Sequence, residues 1–228
     1  REMGVAQNTL VWFMSDNGGL PRLDPPTTGG LRSFKGSMYE GGLRVPAIIE
    51  WPKGISEVRV TKHPAGAVDI FPTIAEVAGL EKSDLLKPQD GMSLAKLFLK
   101  EPGPRQKPLP FRSRGRIAVV DNDYKMISFP DRGKTRYELY NLANDMSEQD
   151  NLVKKEPKIA NQLRKKLKAI DASVTASVNG QDYPEKKVTP QPPRIFWWER
   201  ESYRPYFSEW IKRPEYGQRL KRHIESQK

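Results

Sequence analysis

The stretch from Leu10 to Gly19 reads LVWFMSDNGG and decides the fold of the first part of the chain. Its five consecutive apolar residues predict a strand buried on both faces, because a strand with one solvated face alternates apolar and polar residues. Asp16, Asn17 and the two glycines are turn residues that end this strand. Continuous apolar strands are typical of α/β proteins, in which helices cover both faces of a sheet.

Two further segments favour an α/β arrangement. Residues 45–51 form a second short apolar run that ends at Pro52, which predicts another strand. From Asp69, an expected N-cap, apolar residues recur at helical spacing as far as Gly79 and predict a helix of about three turns. We therefore expect residues 1–103 to form part of a mixed sheet flanked by helices.

The sequence after the proline-rich boundary near residue 103 predicts a smaller subdomain. Its apolar runs are short and separated by Asp, Asn and Gly, which indicates an antiparallel sheet. The predicted strands are 117–120, 124–128 and 137–140. Pro157 begins a helix that is predicted to end near Ile170, and its apolar stripe is expected to pack on this sheet.

These patterns divide the chain into three parts, residues 1–103, 104–172 and 173–228. Pro184, Pro190, Pro192 and Pro193 predict a stiff connector in the third part. The tail that follows from Arg194 combines aromatic residues with basic ones. Its aromatics either form a platform for carbohydrate or, as the simpler interpretation, bury themselves against the body of the protein.

The composition excludes several classes of protein. The 228 residues contain no cysteine, so disulfides, zinc-thiolate sites and a cysteine nucleophile are excluded within them. No apolar run approaches the roughly 18 residues of a membrane helix. The net charge is +11, and residues 1–103 contain 12 basic and 12 acidic residues, so the excess lies in residues 104–228. A basic segment favours an anionic partner, whether nucleic acid, lipid headgroup or acidic polysaccharide.

Asp16 and Asn17 follow the first predicted strand, at the position where ligands bind in open α/β sheets. A carboxylate beside an amide carbonyl provides hard oxygen donors that suit Ca²⁺ or Mg²⁺. Calcium takes about 6 to 8 oxygens, so the remaining donors must come from elsewhere. On these two residues alone, a tight turn is the simpler interpretation.

Five motifs follow one another along the chain. They read SDNGG from residue 15, KG from 35 with YEGGLRVP from 39, VDIFPTI from 68, DGMSL from 90 and YELYNL from 137. This series resembles the C-terminal half of the formylglycine-dependent sulfatases of the alkaline-phosphatase-like superfamily, over about residues 1–170. The resemblance implies that residues 1–103 are the C-terminal part of the sulfatase α/β domain and that the complete enzyme hydrolyses sulfate esters.

The resemblance also implies roles for individual residues. Asp16 and Asn17 correspond to calcium ligands, and Lys35 corresponds to the lysine that contacts the substrate sulfate. An ammonium group is a compact charge that stabilises a sulfuryl oxygen as negative charge develops on it. Arg44 lies in the same motif as Lys35 and is expected to form a structural ion pair.

The formylglycine nucleophile of such enzymes is made from Cys or Ser within Cys/Ser-x-Pro-Ser/Ala-Arg, and no such segment precedes Asp16. Ser128 begins a partial match, but Asp131 stands where Ser or Ala belongs, so an ordinary hairpin residue is expected. His63 and His223 are expected to be surface histidines. We expect an N-terminal half, in the same enzyme or as a separate polypeptide, to supply the nucleophile, and the 228 residues alone to be inactive.

The resemblance further implies a bacterial periplasmic or extracellular setting and a sulfated small molecule or sulfated glycan as substrate. Two other functions stay open, a phosphoester or phosphonate hydrolase of the same superfamily and a noncatalytic module that binds polyanions. Nucleic acid is the less favoured partner. The basic face of the helix 157–170 is a candidate phosphate track, but the sequence contains no signature of a nucleic-acid-binding fold.

Overall fold

A computed structural model describes residues 1–21, 23–188 and 197–226 of the chain. The chain forms two compact units, residues 1–187 and residues 188–228. Pro190, Pro192 and Pro193 of the expected connector and the start of the tail at Arg194 lie outside the described residues. Among the helices that are described, none has the length and apolar character needed to cross a bilayer.

The first part of the larger unit is a small α/β arrangement. Strand β1 (Val11–Met14) is followed along the chain by the short helix α1 (Glu40–Leu43) and by strand β2 (Ala47–Glu50). The two strands pair antiparallel. Helix α2 (Ile70–Val77) comes next. Both strands and α2 lie where the apolar patterns predict them, and the α/β assignment is confirmed.

The prediction that β1 is buried on both faces is wrong for this chain by itself. Phe13 is 66 % exposed, and Ile48, its cross-strand neighbour on β2, is 65 % exposed. Trp12 and Met14, on the other face, are partly covered. Within the described residues this sheet consists of two strands, so the apolar run has cover on one face only.

The second sheet is a four-stranded antiparallel meander in the order β3-β4-β5-β6. Its strands are β3 (Leu109–Ser113), β4 (Arg116–Asp121), β5 (Tyr124–Asp131) and β6 (Lys134–Asn141). The last three are the predicted strands. The sequence patterns do not predict β3, because Pro108 and Pro110 argue against a strand, but proline is tolerated at a sheet edge and β3 is an edge strand.

Helix α3 (Pro157–Val178) covers one face of this meander. Its residues Leu163 and Leu167 are buried in a cluster with Ile117 and Met126 of the sheet, as the apolar stripe predicts. The other face is covered by the segment 38–43. Because both faces are buried, β4 carries four consecutive buried apolar residues instead of an alternating pattern.

Helix α3 continues past its predicted end at Ile170. No proline or glycine interrupts the sequence between Ile170 and the end of the helix, so nothing local ends the helix there. The expected boundary between residues 172 and 173 therefore falls inside α3, and the larger compact unit extends to residue 187. The three-part division of the chain stays a prediction.

The smaller unit is built from short helices. They are two 3-10 helices, Trp197–Glu199 and Glu201–Tyr206, followed by α4 (Phe207–Trp210) and α5 (Pro214–Ser226). The ring centroid of Trp210 lies 5.6 Å from that of Tyr203, 5.8 Å from that of Tyr206 and 6.4 Å from that of Tyr216. These tail aromatics therefore pack on one another within the unit.

A fully buried ion pair joins the start of α2 to the segment that leads into the second sheet. The two Nη atoms of Arg105 donate to the two carboxylate oxygens of Asp69 at 2.9 and 2.8 Å, and both side chains are 0 % exposed. The same carboxylate accepts hydrogen bonds from the backbone N–H groups of Gly66 and Met92. Asp69 occupies the expected N-cap position, but its side chain makes no capping bond to α2 because its oxygens are engaged elsewhere.

The substitution Arg105→Ala is expected to lower the free energy of unfolding by about 3 to 5 kcal/mol, because it leaves the Asp69 carboxylate buried without its cation. Urea denaturation followed by circular dichroism measures this loss. Arg112→Ala is the matched control: Arg112 pairs with Asp171 at 3.3 Å, and both side chains are more than a third exposed. We expect the control to cost less than about 1 kcal/mol. Equal losses for the two variants would contradict the assignment.

Candidate functional site

The loop that follows β1 carries Asp16 and Asn17. It is held against α1 by a hydrogen bond from the N–H of Gly18 to the carbonyl of Gly42, with an N–O distance of 3.1 Å. A Cβ atom on Gly18 would lie 2.1 Å from the carbonyl oxygen of Gly41, so only glycine permits this approach. The side chain of Asp16 is exposed and that of Asn17 is partly buried.

A backbone hydrogen bond brings Lys35 to the same loop. The N–H of Lys35 donates to the carbonyl of Gly19 at 2.8 Å, so the lysine backbone lies beside the residue three positions after Asp16. Lys35 is exposed. The structure thus places the three residues singled out in the sequence, Asp16, Asn17 and Lys35, on two adjoining loops.

The chemistry of these loops fits part of a cation site. The side chains of Asp16, Asn17 and Lys35 make no hydrogen bond or ion pair with any residue that the structure describes. In that part of the chain, no group of three or more His, Cys, Asp or Glu residues is arranged to hold a metal ion. Calcium takes about 6 to 8 oxygen ligands, so Asp16 and Asn17 fit a calcium site as two of its donors and not as a complete set.

A buried ion cluster anchors the segment between Lys35 and α1 to the second sheet. Lys125 of β5 is fully buried, and its Nζ donates to Glu40 Oε1 at 2.8 Å. The same Nζ lies 2.9 Å from Glu148 Oε1 and forms a second ion pair with it. Glu148 Oε2 accepts from the N–H of Glu40 at 2.6 Å. Arg44 Nε donates to Glu40 Oε2 at 2.6 Å, which is the structural ion pair expected for Arg44.

The two carboxylates of this cluster have different electrostatics. Burial alone would raise the pKa of Glu40, but Lys125 and Arg44 outweigh that effect, so its pKa lies below the ordinary value. For Glu148, burial raises the pKa above the ordinary value in spite of the opposing charge of Lys125. Glu40 is therefore the stably ionised partner of Lys125, and Glu148 is the carboxyl that burial penalises.

Arg32 makes a second link between the Lys35 loop and the sheet. Its Nη1 donates to the carbonyl of Glu148 at 2.7 Å and to the hydroxyl of Tyr140 at 2.9 Å. The guanidinium carbon of Arg32 lies 3.9 Å from the ring centroid of Tyr39. The hydroxyls of Tyr39 and Tyr140 both donate to Glu138 Oε2 at 2.8 Å. The segment 32–44 is thus fixed to the second sheet through Arg32, Tyr39 and Glu40.

The pKa shifts in this second link favour the hydrogen bonds that are observed. Burial alone would raise the pKa of Glu138, but the hydroxyls of Tyr39 and Tyr140 and the charge of Arg136 together lower it below the ordinary value. Burial, followed by the hydrogen bond to Glu138, raises the pKa of both tyrosines. Glu138 therefore stays an acceptor and the two tyrosines stay donors near neutral pH.

The sequence patterns miss both links. The one signal for the ion cluster is Lys125 itself, a charged residue beside the apolar Met126 and Ile127 in a predicted strand. Glu148 and Arg32 lie in segments without regular periodicity, and neither residue has a neighbour in sequence that indicates its partner. Their contacts join residues more than 100 positions apart, which no local pattern encodes.

The remaining candidates have structural roles. Ser128 is buried in β5, where its hydroxyl donates to the carbonyl of Ile117 at 3.4 Å, so it is an ordinary hairpin residue as expected. Both histidines are partly exposed, which agrees with the expectation that they lie at the surface. His63 is partly buried, and burial together with the charge of Arg105 lowers its pKa. His223, in the smaller unit, has a side chain that is 22 % exposed.

The substitution Lys125→Met is expected to lower the free energy of unfolding by about 3 to 5 kcal/mol, since Glu40 and Glu148 are left facing each other in a dry environment. Adding Glu148→Gln to this variant removes one of the two charges and is expected to recover part of the loss. Lys158→Met, on the exposed face of α3, is the control and is expected to change stability by less than about 0.5 kcal/mol. A stability unchanged by Lys125→Met would contradict the role of the ion cluster.

Comparison with known proteins identifies relatives of this chain. It is 34 % identical over 169 residues to a protein of Formosa agariphila named sulfatase, and the alignment covers 68 % of this chain and 30 % of the relative. The PsFucS1 sulfatase from Pseudoalteromonas sp. superposes with a TM-score of 0.62 at 24 % identity, over 82 % of this chain and 40 % of that chain. The chain therefore spans less than half the length of either protein.

A second solved structure has the same fold. It is a protein in complex with its substrate, D-glucosamine-2-N,6-O-disulfate, and it superposes with a TM-score of 0.60 at 22 % identity, over 80 % of this chain and 37 % of that chain. Identities this low show the fold alone. The family described as N-sulphoglucosamine sulphohydrolase, C-terminal, matches residues 32–173, which include the Lys35 loop, the whole meander and most of α3. The chain belongs to this family of sulphohydrolase C-terminal regions.

Proposed function

We propose that the full-length protein hydrolyses sulfate esters, with Asp16 and Asn17 contributing to a calcium site and Lys35 contacting the sulfate. The observation that carries the proposal is the hydrogen bond from the backbone N–H of Lys35 to the carbonyl of Gly19. This bond places the residue with the cationic side chain beside the loop that presents two oxygen donors. Membership of the sulfatase family supports the reaction class. The two adjoining loops thus supply one group suited to an anion and two suited to a cation.

Lys35 acts through its charge. Its side chain is exposed and has no acidic partner within the described residues, so its ammonium is available to the oxygens of a sulfate group. A fixed positive charge at that position stabilises negative charge that develops during transfer of the sulfuryl group. Asp16 and Asn17 would hold the cation with their side-chain oxygens. A calcium ion held there would supply Lewis-acid polarisation of the sulfate oxygens.

The N-terminal half of the same enzyme is the partner proposed for this chain. Phe13 and Ile48 form an exposed apolar pair on the first sheet, and α2 exposes Phe71 and Ile74. Burial of apolar surface contributes about 25 cal/mol per Å², and a contiguous exposed patch marks an interface. That half also supplies the formylglycine nucleophile and the remaining calcium ligands, so the 228 residues alone are inactive.

A sulfated sugar is the proposed substrate class. One solved protein of the same fold binds D-glucosamine-2-N,6-O-disulfate as its substrate, and the net charge of +11 in this chain favours an anionic ligand. Because an enzyme encounters polymeric glycans outside the cytoplasm, this substrate class supports a bacterial periplasmic or extracellular location for the protein. A phosphoester or phosphonate hydrolase and a noncatalytic polyanion-binding module are the alternatives that the experiments below separate from a sulfatase.

The substitution Asp16→Ala in the full-length protein is expected to raise the Kd for calcium by at least about tenfold. Substitution of a residue that only hydrogen-bonds to a metal ligand already lowers metal affinity by about 10- to 100-fold. Isothermal titration calorimetry with CaCl₂ measures the change. Asp24→Ala removes another exposed carboxylate nearby in the sequence and is the control expected to leave the Kd unchanged. If Asp16→Ala binds calcium as tightly as the parent, Asp16 is not a ligand.

The substitution Lys35→Ala is expected to lower kcat/KM for an aryl sulfate by about 100- to 1,000-fold, the loss typical of removing one group that stabilises developing negative charge. Lys53→Ala, which removes another exposed lysine, is expected to retain the parent activity. The parent is assayed in parallel with an aryl phosphate. Faster hydrolysis of the phosphate would indicate the phosphoester alternative, and hydrolysis of neither ester would indicate a noncatalytic module.

A further inference from the structure

One end of the second sheet carries a concentration of positive charge. Residues 112–116 and 131–136, here named the basic hairpin end, contain six basic residues and one acidic residue, Asp131. The basic residues are Arg112, Arg114, Arg116, Arg132, Lys134 and Arg136. The opposite end of the sheet, where β4 turns into β5, carries Asp121 and Asp123 instead. The sheet is therefore electrostatically polarised along its strands.

The two loops of the basic hairpin end lie side by side. Each has two residues, Arg114-Gly115 between β3 and β4 and Arg132-Gly133 between β5 and β6. Because neighbouring strands are antiparallel, the two loops emerge at the same end of the sheet. A Cβ atom on Gly115 would lie 3.8 Å from Cγ of Pro130, which precedes the second loop by two residues. The two arginines therefore share one surface.

Both loop arginines have a backbone conformation that is unfavourable for arginine. The φ angles of Arg114 and Arg132 are 51° and 44°, in the left-handed region that favours glycine, asparagine and aspartate. The third hairpin loop of the same sheet has Asn122 in this region, with φ of 53°. Asparagine followed by glycine is the preferred pair for such loops. Two of the three loops thus carry arginine where asparagine is more stable, and strained residues of this kind cluster at functional sites.

Four of the six basic side chains lack an acidic partner in the part of the chain that the structure describes. They are Arg114, Arg116, Arg132 and Lys134. Arg112 pairs with Asp171, and Arg136 pairs with Glu138. Arg114, Arg132 and Lys134 are exposed, and Arg116 is partly exposed. Four cations therefore face solvent with one carboxylate, Asp131, among them.

The basic hairpin end adjoins the segment that carries Lys35. The guanidinium carbon of Arg136 lies 4.3 Å from the ring centroid of Phe129, whose ring lies 5.9 Å from that of Tyr39. Tyr39 follows Lys35 by four residues and is held to the sheet by its hydrogen bond to Glu138. The basic hairpin end thus lies next to the segment that carries Lys35.

We propose that the basic hairpin end binds sulfate groups of a polysaccharide at a distance from the ester that is hydrolysed. This inference rests on the proposed function, which makes a sulfated glycan the polyanion. The planar guanidinium of arginine forms paired hydrogen bonds with tetrahedral oxyanions, and a two-residue turn holds Arg114 and Arg132 on a short, rigid backbone. Nucleic acid fits less well, because single-strand binders stack bases on aromatic rings and residues 112–116 and 131–136 contain no aromatic residue.

The double substitution Arg114→Asn with Arg132→Asn in the full-length protein tests this surface. The Kd for heparin, a sulfated polysaccharide, is measured between about 50 and 200 mM salt. We expect heparin affinity to fall about tenfold near 150 mM salt, and the slope of log K against log salt to decrease by about 2, one unit for each lost contact. The midpoint of thermal unfolding is expected to rise by about 2 °C, because asparagine suits these turns. A loss of affinity with a gain in stability separates binding from a folding defect.

The control Lys158→Gln with Lys165→Gln removes two exposed charges from α3 and is expected to change the heparin Kd by less than about twofold. Undiminished heparin binding by the asparagine variant, an equal loss in the α3 control, or no heparin binding by the parent would each overturn the proposal. Tighter binding of the parent to a single-stranded oligodeoxynucleotide than to heparin at the same salt would assign the surface to nucleic acid and overturn it as well. The hydrolysis assay of Lys35→Ala tests the proposed function separately. Either proposal can therefore be contradicted while the other stands.

Discussion

The arrangement of the candidate site depends on one buried ammonium group, that of Lys125. Transfer of such a charge out of water costs several kcal/mol, and the cost is offset only if its partners lie at hydrogen-bonding distance. Glu40 and Glu148 meet this condition at 2.8 and 2.9 Å, and they come from two segments far from Lys125 in the chain. The requirement for charge compensation therefore fixes three segments relative to one another. Apolar packing alone would tolerate small shifts between them.

A second buried ion pair, between Asp69 and Arg105, is stabilised in the same way. Asp69 and Arg105 link the start of α2 to the segment that enters the meander, again with both side chains removed from water. The loop that carries Asp16 and Asn17 is joined to α1, which the Lys125 cluster holds, and the Lys35 loop is joined to that loop in turn. Backbone hydrogen bonds thus hold the loops that present these three side chains, and a site for an ion and an oxyanion requires such fixed positions.

Sequence patterns predict those features of this protein that have local causes. Strands β1, β2 and β4 to β6, and helices α2 and α3, are predictable because apolar periodicity and turn residues act over a few positions. Strand β3 is not, because Pro108 before it and Pro110 within it are compatible with a strand only at an edge, and edge position is a property of the whole sheet. The solvent exposure of Phe13 is not predictable either, since burial depends on which other elements are present to cover it.

The sequence by itself determined which residue types are available for chemistry and where most of the strands and the longer helices lie. The pair Asp16 and Asn17, the lysine at 35 and the arginines before Gly115 and Gly133 are all visible in the one-dimensional chain. Only the tertiary structure decided that Lys35 meets Gly19, that Lys125 meets Glu40 and Glu148, and that two arginine turns emerge side by side. The physical reason is that such contacts depend on strand order and loop closure, which are settled by the packing of the whole chain and leave no mark on neighbouring residues.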